Sequence, residues 1–278
     1  MQFDMNRTWS QAMAMVRANF QLLALIAGIF MLLPSLALVV AMPQLFELAM
    51  PGANPEAAQA RIQSMLPGFF GAMMGLMLVS LIGYAAMVAL MGPERPTVGA
   101  AIGRAIRALP SLIGAFLLFL VGYIAAALVA GIVLGLLAKV LSLAVGTGGA
   151  SALTVIVLIL GVGYVFTRLS LLLPVVVLEG ARNPFKGFAR SWRLTRPARW
   201  RIYGFFVLLL IAYAVIFLVL TLAMTALGAA AGGSGTFLFG IVTGIIGMLA
   251  AMLISALLVS MHDQLGGAGS PSVAETFE

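Results

Sequence analysis

"PSLIGAFLLFLVGYIAAALVAGIVLGLLA", residues 110–138, carries no charged side chain. About 20 apolar residues cross a bilayer as a helix, so this run alone is long enough to span. In lipid only a helix or a closed barrel satisfies its own backbone groups. The run lacks the polar–apolar alternation of a barrel strand, so it is read as a helix. Working outward, five more runs have the same character: residues 20–42, 67–92, 150–173, 200–228 and 237–261. The fourth extends to Leu178 if Pro174 does not end it. The expected fold class is all-α, a polytopic membrane protein with six transmembrane helices arranged as three hairpins.

Composition agrees with that reading. The chain has 278 residues, of which 63% are hydrophobic and 8% charged, and its mean hydropathy is +1.16. A soluble domain carries about a quarter charged residues, so most of this surface faces lipid. There is no cysteine, which excludes disulfides, thiolate metal sites and a cysteine nucleophile. The amphipathic lead 1–19 is longer than a signal-peptide n-region, and the run after it is long enough to span.

The charges are distributed unevenly. Arg7 and Arg17 precede the first span, and Arg95, Arg104 and Arg107 lie between the second and third. Arg182, Lys186, Arg190, Arg193, Arg196, Arg199 and Arg201 lie between the fourth and fifth. The opposite side holds Arg61, Lys139 and nothing in 229–236. Positive loops stay in the cytoplasm, so both termini are expected inside, in a plasma membrane. A net charge of +7 would suggest nucleic acid in a soluble protein. Beside apolar spans it points to anionic lipid headgroups on the cytoplasmic side, at about 1 kcal/mol per Lys or Arg.

Each basic segment carries an apolar stripe at helical spacing: Trp9, Met13, Val16 and Phe20; Val98, Ile102, Ala105 and Leu109; Phe185, Phe188, Ala189 and Trp192. Asp4 or Asn6, Thr97 and Asn183 are candidate N-caps, with Pro184 suited to a first helical position. A stripe beside a basic flank describes a helix lying in the headgroup plane, so each hairpin is expected to follow a cytoplasmic amphipathic interfacial helix. Arg104/Arg107 and Arg190/Arg193 share a register. The reading is one membrane domain, 1–262, with possible repeats 1–92, 93–178 and 179–262, and a flexible tail, 263–278. Gly71/Gly75, Gly131/Gly135 and Gly240/Gly244 offer close helix approach, expected mainly within the chain, and Pro34 is expected to kink the first span.

Few residues carry chemistry. Arg168 lies inside the fourth run; it is deep if the helix continues to Leu178 and snorkels if Pro174 ends it. Glu179 is placed to pair with Arg182, Arg190 or a basic residue of another repeat. The single histidine, His262, makes neither a triad nor a metal site. There is no H-E-x-x-H motif, no phosphate loop and no pair of intramembrane carboxylates. The expectation is a protein that is not an enzyme and has no cofactor.

The stretch "RLSLLLPVVVLEGARNPFKGFARSWRLTRPARWRIYGFF" resembles a bacterial family of six-span inner-membrane proteins. That family includes the membrane domain fused to some glycerophosphoryl diester phosphodiesterases and related stand-alone membrane proteins. The resemblance rests on Arg168, Pro174, Glu179, Arg190, Ser191, Trp192, Leu194 and Thr195. Arg196 and Pro197 stand where the family often has a glycine. The resemblance implies the six-span fold; hydrolysis in the fused proteins belongs to a separate soluble domain with no counterpart here. Two functions remain open. One is a non-catalytic membrane protein engaging anionic lipids or a membrane partner through Arg168 and the seven cations from Arg182 to Arg201. The alternative is a transporter or channel for a small solute or lipid, with Arg168 as anion site.

Overall fold

The computed structural model describes residues 3–41, 55–231 and 234–266. Every regular element among them is helical. In chain order these are α1 (Met5–Ala18), α2 (Phe20–Ala27), a π turn (Gly28–Leu32), α3 (Leu33–Ala41), α4 (Pro55–Leu90) and α5 (Val98–Leu169). There follow α6 (Leu172–Leu178), α7 (Pro184–Thr195), a 3-10 turn (Arg196–Ala198), α8 (Arg199–Ala231) and α9 (Ser234–Gly266). Six stretches are long and apolar enough to cross a membrane: Phe20–Leu38, Phe70–Leu90, Val98–Leu137, Gly148–Leu178, Pro184–Ala223 and Leu238–Gly266. The protein is an all-α integral membrane protein with six such helices.

The chain divides into two compact units. One comprises Met1–Met5, Ala108–Phe206 and His262–Glu278; the other comprises Asn6–Arg107 and Val207–Met261.

Local chemistry explains the interruptions. Pro34 offers no N–H to the carbonyl four residues back, and the π turn Gly28–Leu32 immediately precedes its helix. Gly146 breaks α5 inside the polar link after the third span, with φ 73° and ψ 168°. Side chains rarely adopt that conformation, so glycine is required there. The second amphipathic segment differs from expectation in one respect. Residues 98–109 run through Pro110 into the third span as one helix, because a membrane helix tolerates an interior proline whose lost bond is met locally. Thr97 accepts from the N–H of Ala100 at 3.4 Å, as a cap does.

The small residues of the amphipathic segments face inward. Thr8 and Ala12, Ala101 and Ala105, and Gly187 and Ser191 are all buried, each pair one helical turn apart. Trp9, Ile106, Phe185 and Trp192 stay exposed. Within the second unit, the Ser260 hydroxyl donates to the Thr8 carbonyl at 3.2 Å. A Cβ on Gly83 or Gly244 would collide with Phe30 or Leu32. Gly71, Gly75, Gly131 and Gly135 face open space, whereas Gly244 makes a close approach within the chain. Helix α9 continues through Asp263 to Gly266; the remainder of the tail lies outside the described residues.

Candidate functional site

The site is built in the first unit, where the fourth span meets α7. Pro174 decides its shape. In a continuous helix its ring would clash with the carbonyl of Ser170, and the helix does break at Ser170 and Leu171 before resuming as α6. A helix end leaves carbonyls without partners. That of Arg168 accepts the Ser191 hydroxyl at 2.9 Å, while the Thr195 hydroxyl, 3.4 Å away, donates instead to the Ser191 carbonyl at 2.9 Å.

Helix α7 is held in place to do this. The Asn183 side chain accepts from the Phe185 N–H at 2.9 Å, and Pro184 opens the helix, both as expected. Gly180, with φ 68°, supplies the left-handed residue that reverses the chain after α6. Gly187 lets α7 sit on α6: a Cβ there would lie 3.2 Å from Leu172 and 3.5 Å from Val176. The Ser111 hydroxyl ties the connection from below, donating to the Ala181 carbonyl at 2.7 Å.

Arg168 neither runs deep in a continuous helix nor snorkels. The helix ends before Pro174, yet Arg168 is only 2% exposed. Its Nη1 donates to the Thr195 hydroxyl at 3.2 Å, and the Trp192 ring covers its guanidinium at 4.2 Å. Its Nε–H is buried without a partner, and among the described residues no carboxylate pairs with it. Trp192, at 43% exposed, therefore has one face on a buried cation and the rest in the surroundings. Ser191, Trp192 and Thr195 converge on Arg168, and Leu194 of the same helix is buried.

Glu179 closes the other end of α6. Its carboxylate accepts from Arg190 Nε at 3.0 and 3.2 Å. His262 Nε2 lies 2.9 Å from Oε1; an ionised carboxylate only accepts, so this nitrogen carries the proton. His262 Nδ1 is 3.9 Å from Asp263, too far for a hydrogen bond. Burial alone would raise the Glu179 carboxyl, but the hydrogen bonds from Arg190 and His262, and their charges, outweigh it and hold it below its ordinary range. Arg190 is the local partner; His262, from the last span, is one the sequence reading missed. The available signal was that Glu179 and His262 end two spans on the same expected side.

The cations separate into groups. Arg193, Arg196, Arg199 and Arg201 line one open groove of about 740 Å³ with Phe3, Pro197, Ala198 and Trp200. Arg201 also reaches the Phe3 carbonyl at 3.5 Å. Phe3 is fixed edge-on against Phe205, and Trp200 packs against Tyr164 and Tyr203. Arg190 is drawn away to Glu179, and Arg182 and Lys186 are exposed outside the groove. No three histidine or acidic side chains come together as metal ligands among the described residues.

Compared with family models, curated proteins and solved structures, the chain finds no match in any of the three.

Proposed function

We propose that this protein holds anionic lipid headgroups in the arginine-lined groove at the start of α8, on the cytoplasmic side of a bacterial inner membrane. It does so without a catalytic site of its own, as a scaffold or envelope-related component. The observation that carries this reading is the groove itself: four guanidiniums line it together with two aromatic rings and a proline, and no acid is among its lining residues. Arginine grips phosphate oxygens in a planar, two-pronged way, and a Trp beside it suits the membrane–water boundary. Exposed Phe185 and Trp192 would set α7 at the acyl boundary, with Lys186 snorkelling to phosphates. The resemblance to the six-span family fits this placement.

The test is native mass spectrometry of protein released gently from its own membrane. Wild type is expected to retain phospholipid. Replacing Arg193, Arg196, Arg199 and Arg201 by Gln should strip it, whereas neutralising Arg182, which lies outside the groove, should not. Equal retention in all three forms would defeat the reading.

A second reading, passage of a small anion or lipid, rests on Arg168, a buried guanidinium with an unused donor. It requires flux in proteoliposomes that Arg168→Met abolishes.

A further inference from the structure

We infer that the groove selects a lipid headgroup carrying two phosphate groups over one carrying a single phosphodiester. This rests on the lipid reading above and names the ligand class of the same site. Arg193, Arg196 and Arg199 are three residues apart in succession. They occupy the last turn of α7, the 3-10 turn and the first residue of α8. Residues three apart on a helix are neighbours, and in a 3-10 turn they eclipse one another. The array therefore presents successive guanidiniums along one short line, with Arg201 as the fourth wall.

Charge and geometry both exceed what one phosphodiester can use. A phosphodiester brings one negative charge and two free oxygens, which a single two-pronged arginine already satisfies. The other guanidiniums would stay crowded and unneutralised, and among the described residues none of the four forms an ion pair with an acid. Two phosphates on a short bridge answer this: each engages one or two arginines, and the like charges no longer face one another. Phe3, Pro197 and Trp200 line the same groove, giving an apolar wall that a soluble diphosphate would leave unused. That wall is why the occupant is a lipid.

The experiment titrates delipidated full-length protein in detergent and reads bound lipid by native mass spectrometry. The probes are tetraoleoyl cardiolipin, with two phosphodiesters, dioleoyl phosphatidylglycerol, with one, and soluble pyrophosphate. Cardiolipin should bind at least about tenfold more tightly than phosphatidylglycerol, because its second phosphate engages arginines that a single phosphodiester leaves unpaired. Arg196→Gln/Arg199→Gln should collapse that ratio towards unity, with an unchanged circular dichroism spectrum and unfolding midpoint. A ratio that survives in the double variant would come from cardiolipin's extra acyl chains and would overturn the inference. Equal binding of the two lipids by wild type would also overturn it while leaving the lipid reading standing. Pyrophosphate binding as tightly as cardiolipin would replace the lipid by a soluble diphosphate and overturn both. Binding of none of the three probes would bring both down as well.

Discussion

Replacing Arg168 by Met should leave the fold about as stable as before, although it deletes a side chain buried to 2% exposure. The argument is a balance of four terms. The guanidinium gains one side-chain hydrogen bond at 3.2 Å, worth about 1.5–3 kcal/mol for a charged donor. It also gains the Trp192 face at 4.2 Å, worth about 2 kcal/mol when desolvated. Against these stand a buried Nε–H with no acceptor, costing about 1–3 kcal/mol, and the withdrawal of a cation from water without a carboxylate, costing several kcal/mol. Methionine fills similar volume and removes all four, so the net change should fall within about 1–2 kcal/mol of zero.

Thr195→Val should behave in the opposite way. It preserves shape but strips the buried cation of its side-chain acceptor, at a cost of about 3 kcal/mol. In the Arg168→Met background the same change removes a hydroxyl that bonds the Ser191 carbonyl at 2.9 Å, at about 1 kcal/mol. The four proteins thus form a cycle with a coupling near 2 kcal/mol, inside the range found for contacting residues. Unfolding midpoints in mixed micelles titrated with denaturing detergent measure it. If the two substitutions simply add, Thr195 does not hold the cation. If Arg168→Met alone costs more than about 3 kcal/mol, Arg168 stabilises the fold and its retention needs no ligand.

Three other outcomes follow from the same contacts. Glu179 has a depressed carboxyl value, so its stabilisation is complete above the ordinary glutamate value near pH 4.3 and disappears as pH falls through the lower folded one. Acid titration of unfolding midpoints should therefore show a decline that Glu179→Gln lacks, with a loss near neutral pH of only about 1 kcal/mol, since the Arg190 pair is partly exposed and screened by solvent. Gly146→Ala should destabilise by about 1–3 kcal/mol through backbone strain alone, because its Cβ would meet open space, whereas Gly148→Ala, equally open and without a positive φ, should be neutral. Gly187→Leu should force α7 off Leu172 and Val176, costing about 1–3 kcal/mol, and should raise the quenching of Trp192 fluorescence by iodide.

The spans were legible because a solvent requirement writes itself into every residue of a run: lipid admits only helices there, and 110–138 has no charge to interrupt it. Caps at Thr97 and Asn183 were legible because they act over two or three residues. The fate of Arg168 was not: the helix ends before Pro174, yet Arg168 is buried rather than snorkelling, because Ser191, Trp192 and Thr195, more than 20 residues away, close over it. Nor was the inward face of α7. Its aromatic stripe stands out in the sequence, but the buried residues are Gly187, Ser191, Leu194 and Thr195, of which three are too small or polar to give a hydropathy signal. The partnership of Glu179 with His262 depends on tertiary placement, which neither residue's neighbours reveal.

The remaining question is why so many cations stand between α7 and α8 when two or three would orient the chain. An anchor requires only that positive charge remain on one side. It gains nothing from placing guanidiniums at 193, 196 and 199, where three-residue spacing sets like charges beside one another and costs a few tenths of a kcal/mol per pair. Moving one of them by two residues would remove that repulsion and keep the orientation. Arg190, with the same charge, is neutralised by Glu179, so the fold does supply an acid in this region, and it spends that acid on fixing α7 to α6 and α9. Among the described residues, the groove arginines form no ion pair with an acid. Repulsion that a nearby acid could have relieved makes sense when an anion from outside the chain relieves it instead, which is why the groove, rather than the whole basic segment, is where ligand should be sought.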